Sequence, residues 1–168
     1  MSDETPAQLQ ELTARLEALL PSIDAVDPTA AEEAASQLSA RHPFDGEEVR
    51  AIRELCLQGL DAGWLVPHDA GPKVKFGRLA KDMGGYAVDA VTMAESAGRG
   101  HTHTRGEINM CFPLDGSPLF DGHAPGWVVF APGSHHVPTV TDGTMLFLYF
   151  TPGGEVVWDP IDAGTDRD

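Results

Sequence analysis

The segment "GRGHTHTRGEINMCFPLDG", Gly98–Gly116, carries two histidines one residue apart and a glutamate shortly after them. Alternate side chains of an extended strand point to the same face, so His101 and His103 would present two imidazoles about 7 Å apart along one face. The intervening "TRG" is turn-like, and a following strand can return Glu107 to that face. The segment therefore offers three metal-binding side chains to one point.

A second segment, "GWVVFAPGSHHVPTV", Gly126–Val140, supplies a further histidine. Pro and Gly predict a turn between two short strands, and the second strand carries His136. Its neighbour His135 points to the opposite face of a strand and is the weaker candidate. The predicted metal ligands are His101, His103, Glu107 and His136.

This donor set determines the class of metal. Three imidazoles and one carboxylate bind a divalent transition metal and leave one or two positions open, as a catalytic site requires. We expect Fe, Mn, Ni, Zn or Co in preference to Mg or Ca, and the donors do not choose among the five.

The remaining histidines and the cysteines have no such pattern. His42, His68 and His123 lack a partner by spacing, and we expect them to have structural roles. Cys56 and Cys111 lie far apart without C-x-x-C spacing, which is typical of buried, reduced thiols.

Short β-type runs dominate the chain after Trp64, where Gly and Pro become frequent. The runs, each bounded by Gly, Pro, Asp or Ser, are "YAVDAVTMAE", "INMCFPL", "GWVVFAP", "TMLFLYF" and "EVVWD". Regular short strands separated by turns predict an antiparallel sandwich or a small barrel.

The first third of the chain has helical periodicity in three segments, separated by Pro21, Pro28 and Pro43. The predicted N-terminal capping pairs are Thr5 with Gln8, Thr29 with Glu32, and Asp45 with Glu48. Gly63 is expected to end the third helix. We predict three regions: a helical region that packs on the barrel at 1–63, the barrel with its metal site at 64–160, and a flexible acidic tail at 161–168.

The charge of the chain excludes some partners. Eleven Lys and Arg against 26 Asp and Glu give a net charge of −15 at pH 7, which repels the phosphate backbone of nucleic acid. No apolar run approaches the ~18 residues of a membrane span, and "MSDETPAQLQ" lacks the features of a signal peptide. We therefore expect a cytoplasmic protein that binds neither nucleic acid nor membrane.

The two histidine segments together resemble the cupin superfamily. The resemblance is carried by "GHTHTRGE" and "GWVVFAPGSHH". It implies a cupin-type double-stranded β-helix, a small β-barrel of the jelly-roll kind, with the metal inside. The expected fold class is thus mainly β with a helical N-terminal region.

A closer resemblance covers nearly the whole chain. The phrases "GEI..CFPL", "FDGH.PGWVV" and "PGS.HVPTV", with the preceding "KVKFGRL", are similar to the 4-hydroxylaminobenzoate lyases of nitroaromatic degradation. This resemblance implies conversion of 4-hydroxylaminobenzoate to 3,4-dihydroxybenzoate (protocatechuate) and ammonia. It also implies a small aromatic carboxylate as the substrate.

That substrate suggests binding residues. A carboxylate is best held by a planar bidentate guanidinium, for which the candidates are Arg78, Arg99 and Arg105. The aromatic residues that could stack on the substrate ring are Trp127, Phe112 and Tyr149. The metal would act as a Lewis acid, with the four ligand residues as the catalytic set and Glu107 either remaining a ligand or moving a proton.

Two other functions fit the same residues. One is an Fe(II)-dependent dioxygenase acting on an aromatic or thiol substrate, and the other is a non-enzymatic, metal-dependent small-molecule-binding cupin. The helices are rich in Glu and Ala, which argues against DNA contact. We expect them to cover the barrel or form a dimer interface, so a homo-oligomer, most simply a dimer, is predicted.

Overall fold

A computed structural model describes residues 6–160, and over this range the chain is mainly β with helices at its N-terminal end. This confirms the predicted fold class. The N-cap predicted at Thr5 and the tail predicted at 161–168 lie outside the described residues. The helices are α1 (Ala7–Glu17), α2 (Leu20–Ala25), α3 (Ala31–Arg41) and α4 (Glu47–Ala62).

The helix boundaries differ from the predicted ones in detail. Pro21 does not separate helices but lies in the first turn of the additional short helix α2, where its missing N–H costs nothing. The predicted capping pairs at Thr29 and Asp45 are wrong, because α3 and α4 begin after Ala30 and Gly46 without a side-chain cap. The predicted end of α4 is confirmed, since Gly63 adopts the left-handed conformation (φ 85°).

Within residues 6–160, ten strands follow the helices. They are β1 (His68–Asp69), β2 (Val74–Met83), β3 (Tyr86–Met93), β4 (Ser96–Ala97), β5 (His101–His103), β6 (Glu107–Phe120), β7 (Gly126–Phe130), β8 (Ser134–His136), β9 (Thr139–Pro152) and β10 (Val157–Trp158). All five predicted runs are strands, although β6 and β9 are longer than predicted. The sequence prediction missed β2, whose Lys, Gly and Arg residues interrupt the apolar alternation.

The strands form two antiparallel sheets. The larger sheet has the order β1-β2-β3-β9-β6-β7, with β4 pairing with one end of β9. The smaller has the order β10-β5-β8. Residues of both sheets line one cavity, so the sheets face each other as the walls of the expected small barrel.

The larger sheet separates the core from the cavity. On strands β3, β6 and β9, every second residue joins the buried cluster that contains the helix leucines: Val88, Ala90, Ile108, Met110, Leu146, Leu148 and Phe150. The residues between them face the cavity. The helices therefore complete the core from one side and leave the other side of the sheet to the site.

Both cysteines are buried and unpaired, as predicted. No helix among the described residues is long and apolar enough to cross a membrane.

Replacement of Leu38 by alanine should lower the free energy of unfolding by about 2–5 kcal/mol, because a fully buried leucine between α3 and the sheet leaves a cavity when truncated. The measurement is urea unfolding followed by circular dichroism. Ser36→Ala, on the exposed side of the same helix, should change the free energy of unfolding by less than about 0.5 kcal/mol. Equal effects of the two substitutions would show that α3 does not pack as described.

Candidate metal centre

Three of the predicted ligands converge at one point. The β5–β8 pairing places His101 directly opposite His136, and His103 lies two residues along β5 on the same face. The three Nε2 atoms form a triangle, with His101–His103, His103–His136 and His136–His101 separations of 3.1 Å each. The pairing of two short strands thus brings together histidines that are 33 and 35 residues apart in sequence.

Hydrogen bonds at the outer nitrogens orient two of the rings. The Nδ1 of His101 lies 2.8 Å from the carbonyl oxygen of Arg99, which can only accept, so this nitrogen is the donor. The Nδ1 of His136 donates to the carboxylate of Asp121. A neutral imidazole has one N–H, so in its neutral form a ring that donates from Nδ1 turns a lone pair on Nε2 towards the triangle.

The third ring is the most deeply buried. His103 is 1% exposed, and burial, together with the nearby His101 and His136, lowers its pKa to about 3. Burial also lowers the pKa of His101. These rings are therefore neutral at pH 7, which is the form that binds a metal.

Glu107 lies beside the triangle and not within it. Its Oε2 is 3.4 Å from Nδ1 of His103, and Thr151 donates a hydrogen bond of 3.4 Å to the same oxygen. Burial raises the pKa of Glu107 to about 8. Gly106 permits this placement, because its φ is 84° and a Cβ there would lie 2.7 Å from the carbonyl oxygen of Phe130. Glu107 as a metal ligand stays a prediction.

The three imidazoles suit a divalent transition metal. Nitrogens bound to one such ion at about 2.0–2.1 Å lie roughly 3 Å apart, which matches the edges of the triangle. Two of the three rings use an N–H at Nδ1, so within the triangle only Nε2 of His103 is left to donate a hydrogen bond. A single donor does not satisfy both of the other lone pairs, and this arrangement suits a cation at the centre of the triangle. Among the described residues, this is the group of side chains close enough to hold one.

The triangle lies at one side of a cavity of about 730 Å³ between the two sheets. A polar row crosses the wall formed by the larger sheet, because its members lie opposite one another on adjacent strands: Arg78, Asp89, Tyr149 and Asn109. The neighbouring row is apolar and contains Phe76, Val91 and Phe147. The cavity therefore combines a metal-binding group, a polar strip and an apolar wall.

Only some of the predicted substrate-binding residues line this cavity. Arg78, Arg99 and Tyr149 do. Arg105 is exposed outside it and pairs with Glu155. Trp127, a predicted substrate contact, does not line this cavity, and neither does Phe112. Both face the helices: the indole of Trp127 donates to the carbonyl of His42, and Phe112 stacks on Phe44.

The two cavity arginines have partners within the chain. Arg78 donates from Nε and Nη2 to the carboxylate of Asp89 (2.8 and 3.2 Å), and this pair raises the pKa of the guanidinium. Arg99 donates from Nε and Nη2 to the carbonyl oxygen of Asp159 and lies over the ring of Trp158. Burial raises the pKa of Tyr149, so its hydroxyl is neutral.

Other histidines lie away from the triangle. His135 is exposed and contacts Asp159, whereas His42 contacts Ser22 and Glu48. His68 lines the cavity beside Phe76, although its spacing from the other histidines in the sequence did not indicate this position.

Sequence reasoning also missed Asp89, Asn109 and Asp121. The signal for the first two was a polar residue inside an otherwise apolar strand, in "YAVDAVTM" and "INMCF". Asp121 gave no signal beyond the turn-like "FDG".

The family model and the related proteins that match this sequence indicate the same family. Residues 14–158 match the family model described as PnbB, 4-hydroxylaminobenzoate lyase. The chain is 28% identical to the 4-hydroxylaminobenzoate lyase of Pseudomonas putida over 152 residues, covering 79% of this chain and 86% of that protein. It is also 28% identical to the enzyme of the same name from Nocardioides sp. (strain LMS-CY) over 142 residues, covering 78% and 84%. A solved RmlC-like cupin from Ralstonia eutropha JMP134 is 18% identical, with a TM-score of 0.42 over 59% of this chain and 70% of that one.

Replacement of His136 by alanine should weaken zinc binding by more than about 100-fold, because loss of a ligand costs more than loss of a residue that merely orients one. Isothermal titration with zinc, and metal content after dialysis, measure the effect. His135→Ala is the matched control, since it removes the neighbouring imidazole on the opposite face. Loss of binding in the control and retention in His136→Ala would contradict the assignment of the centre.

Proposed function

This chain belongs to the 4-hydroxylaminobenzoate lyase family, and we propose that it converts 4-hydroxylaminobenzoate to 3,4-dihydroxybenzoate and ammonia in a metal-dependent reaction. The conversion adds one water and releases one ammonia, so it needs no external oxidant. The observation that carries the proposal is the convergence of three imidazole nitrogens in a cavity that also contains a guanidinium. These two features suit the two ends of an aryl hydroxylamine that bears a carboxylate.

His101, His103 and His136 would hold the metal. When bound there, a divalent ion supplies Lewis acidity for cleavage of the N–O bond. The chain's own contribution begins with the orientation of the three rings, which Arg99 and Asp121 fix through two of the Nδ1 atoms. Glu107 contacts His103 and also lines the cavity, and its Oε2 is the atom at which a proton can be held or released beside the reacting group.

Arg78 would bind the carboxylate of the substrate. Asp89 engages two of its five N–H donors and so fixes the direction of the guanidinium, while the other donors remain for a ligand. The side chain is 56% exposed, which places it at the open side of the cavity. This local positive group opposes the long-range repulsion of an anion by a chain with a net charge of −15.

The wall between these ends suits an aromatic ring. Tyr149 occupies the centre of the polar row, and Phe147 and Val91 form the apolar row beside it. A ring lying against them would displace water from most of the cavity wall. Exclusion of water protects an electron-poor intermediate from side reactions.

An anaerobic assay tests the proposed reaction. Protein loaded with metal should form 3,4-dihydroxybenzoate and ammonia in equal amounts from 4-hydroxylaminobenzoate without oxygen. His101→Ala should abolish both products, and His135→Ala should retain them. Turnover that requires oxygen would contradict the lyase and indicate a dioxygenase, whereas absence of turnover in the metal-loaded wild type would contradict the substrate.

Arg78→Ala should raise KM for 4-hydroxylaminobenzoate by about 10- to 100-fold, because a hydrogen bond to a charged group contributes about 1.5–3 kcal/mol. Steady-state kinetics measure the effect. Arg105→Ala is the control, because this arginine is similarly exposed but lies outside the cavity. An unchanged KM in Arg78→Ala would remove Arg78 from the site.

A further inference from the structure

Asp121 occupies a strained position immediately after β6. Its φ is 48°, in the left-handed region that few residues other than glycine adopt. Aspartate tolerates this region better than most residues because its short side chain makes local hydrogen bonds. The tight turn at this position therefore favours aspartate over most other side chains.

The carboxylate of Asp121 has two separate hydrogen-bond partners. Oδ2 accepts from Nδ1 of His136, and Oδ1 accepts from the backbone N–H of Thr139 at 2.8 Å. In addition, the backbone N–H of Asp121 donates to the carbonyl oxygen of Thr139 at 2.9 Å. Together these bonds tie the end of β6 to both the ring of His136 and the chain that follows it.

We propose that Asp121 is the positioning residue of this centre: its carboxylate fixes His136 as the Nδ1–H tautomer, with Nε2 directed at His101 and His103. This inference rests on the metal centre of the proposed function but not on the identity of the substrate. Asp121 does not contact the triangle of Nε2 atoms, so it acts through the ring of His136 and through the backbone at Thr139.

Neither of the other two rings has a hydrogen-bonded carboxylate at its outer nitrogen. His101 is oriented by a backbone carbonyl, and Nδ1 of His103 lies 3.4 Å from Oε2 of Glu107 but makes no hydrogen bond within residues 6–160. Among the described residues, Asp121 is thus the one side chain that hydrogen-bonds the outer nitrogen of a ring in the triangle. A carboxylate at that nitrogen makes the opposite nitrogen a stronger donor to a metal.

Substitution by asparagine separates this role from simple packing. Both carboxylate oxygens accept hydrogen bonds, whereas an amide of the same shape has one accepting oxygen and cannot serve both His136 and Thr139. In Asp121→Asn we expect a shift of His136 away from the Nδ1–H tautomer, read by ¹⁵N NMR of the metal-free chain. We also expect cobalt(II) affinity to fall by about 10- to 100-fold, read by titration of its visible absorption.

Asp159→Asn is the matched control. Asp159 contacts the exposed His135 at 2.8 Å in the same carboxylate–imidazole manner, but that ring faces away from the triangle. This variant should keep the wild-type tautomer of His136 and the wild-type cobalt(II) affinity.

The outcomes distinguish the two proposals. Wild-type affinity and tautomer in Asp121→Asn would overturn the role of Asp121 while leaving the metal centre in place. Failure of the wild-type chain to bind cobalt(II) would overturn the metal centre, and the positioning role with it. If Asp121→Asn does not fold, the wild-type spectrum decides, because a bare Nδ1 on His136 would contradict the donated hydrogen bond.

Discussion

The site depends on the register between the short strands β5 and β8. His101 faces His136 across this pair, and Thr102 faces His135 on the opposite side. A slip of one residue would turn the wrong side chains inward, since neighbouring residues of a strand point to opposite faces. The register is fixed from outside the pair, because Asp121 holds the chain at Thr139 and β10 pairs with the other edge of β5. The register that brings the three imidazoles together is therefore set by the contacts around this strand pair.

The larger sheet makes this arrangement possible by facing two environments. One face packs against the helices in a continuous apolar core, and the other carries the polar row from Arg78 to Asn109. A polar group that is buried in such a wall loses hydration, and a hydrogen-bonded partner offsets that cost; the largely buried Asp89 has this partner in the more exposed Arg78. A substrate carboxylate at Arg78 would then meet a guanidinium that is already oriented, so less conformational entropy is lost on binding.

Much of the fold and of the candidate site could be predicted from the sequence. The features that could not be predicted were missed for physical reasons. The strand pattern predicted the barrel, and alternation predicted that His101 and His103 would share a face. The spacing of the two motifs predicted that His136 would join them, although spacing gives only indirect information about which strands pair. Strand β2 was missed because its alternation of apolar and polar residues is broken. Helix α2 was missed because a proline usually separates helices, whereas Pro21 lies in the first turn of one. Trp127 and Arg105 could not be placed, since sequence alone does not tell which face of a sheet is covered by helices.

Asp121 was also beyond prediction, because its importance arises from hydrogen bonds to residues 15 and 18 positions later in the chain.

The proposed metal centre depends on three imidazoles that share one ion. Anomalous diffraction from a crystal of the metal-loaded protein measures where that ion binds. We expect a single strong anomalous peak within about 2.0–2.2 Å of Nε2 of His101, His103 and His136. A peak elsewhere, or contact with fewer than three of these nitrogens, would contradict it.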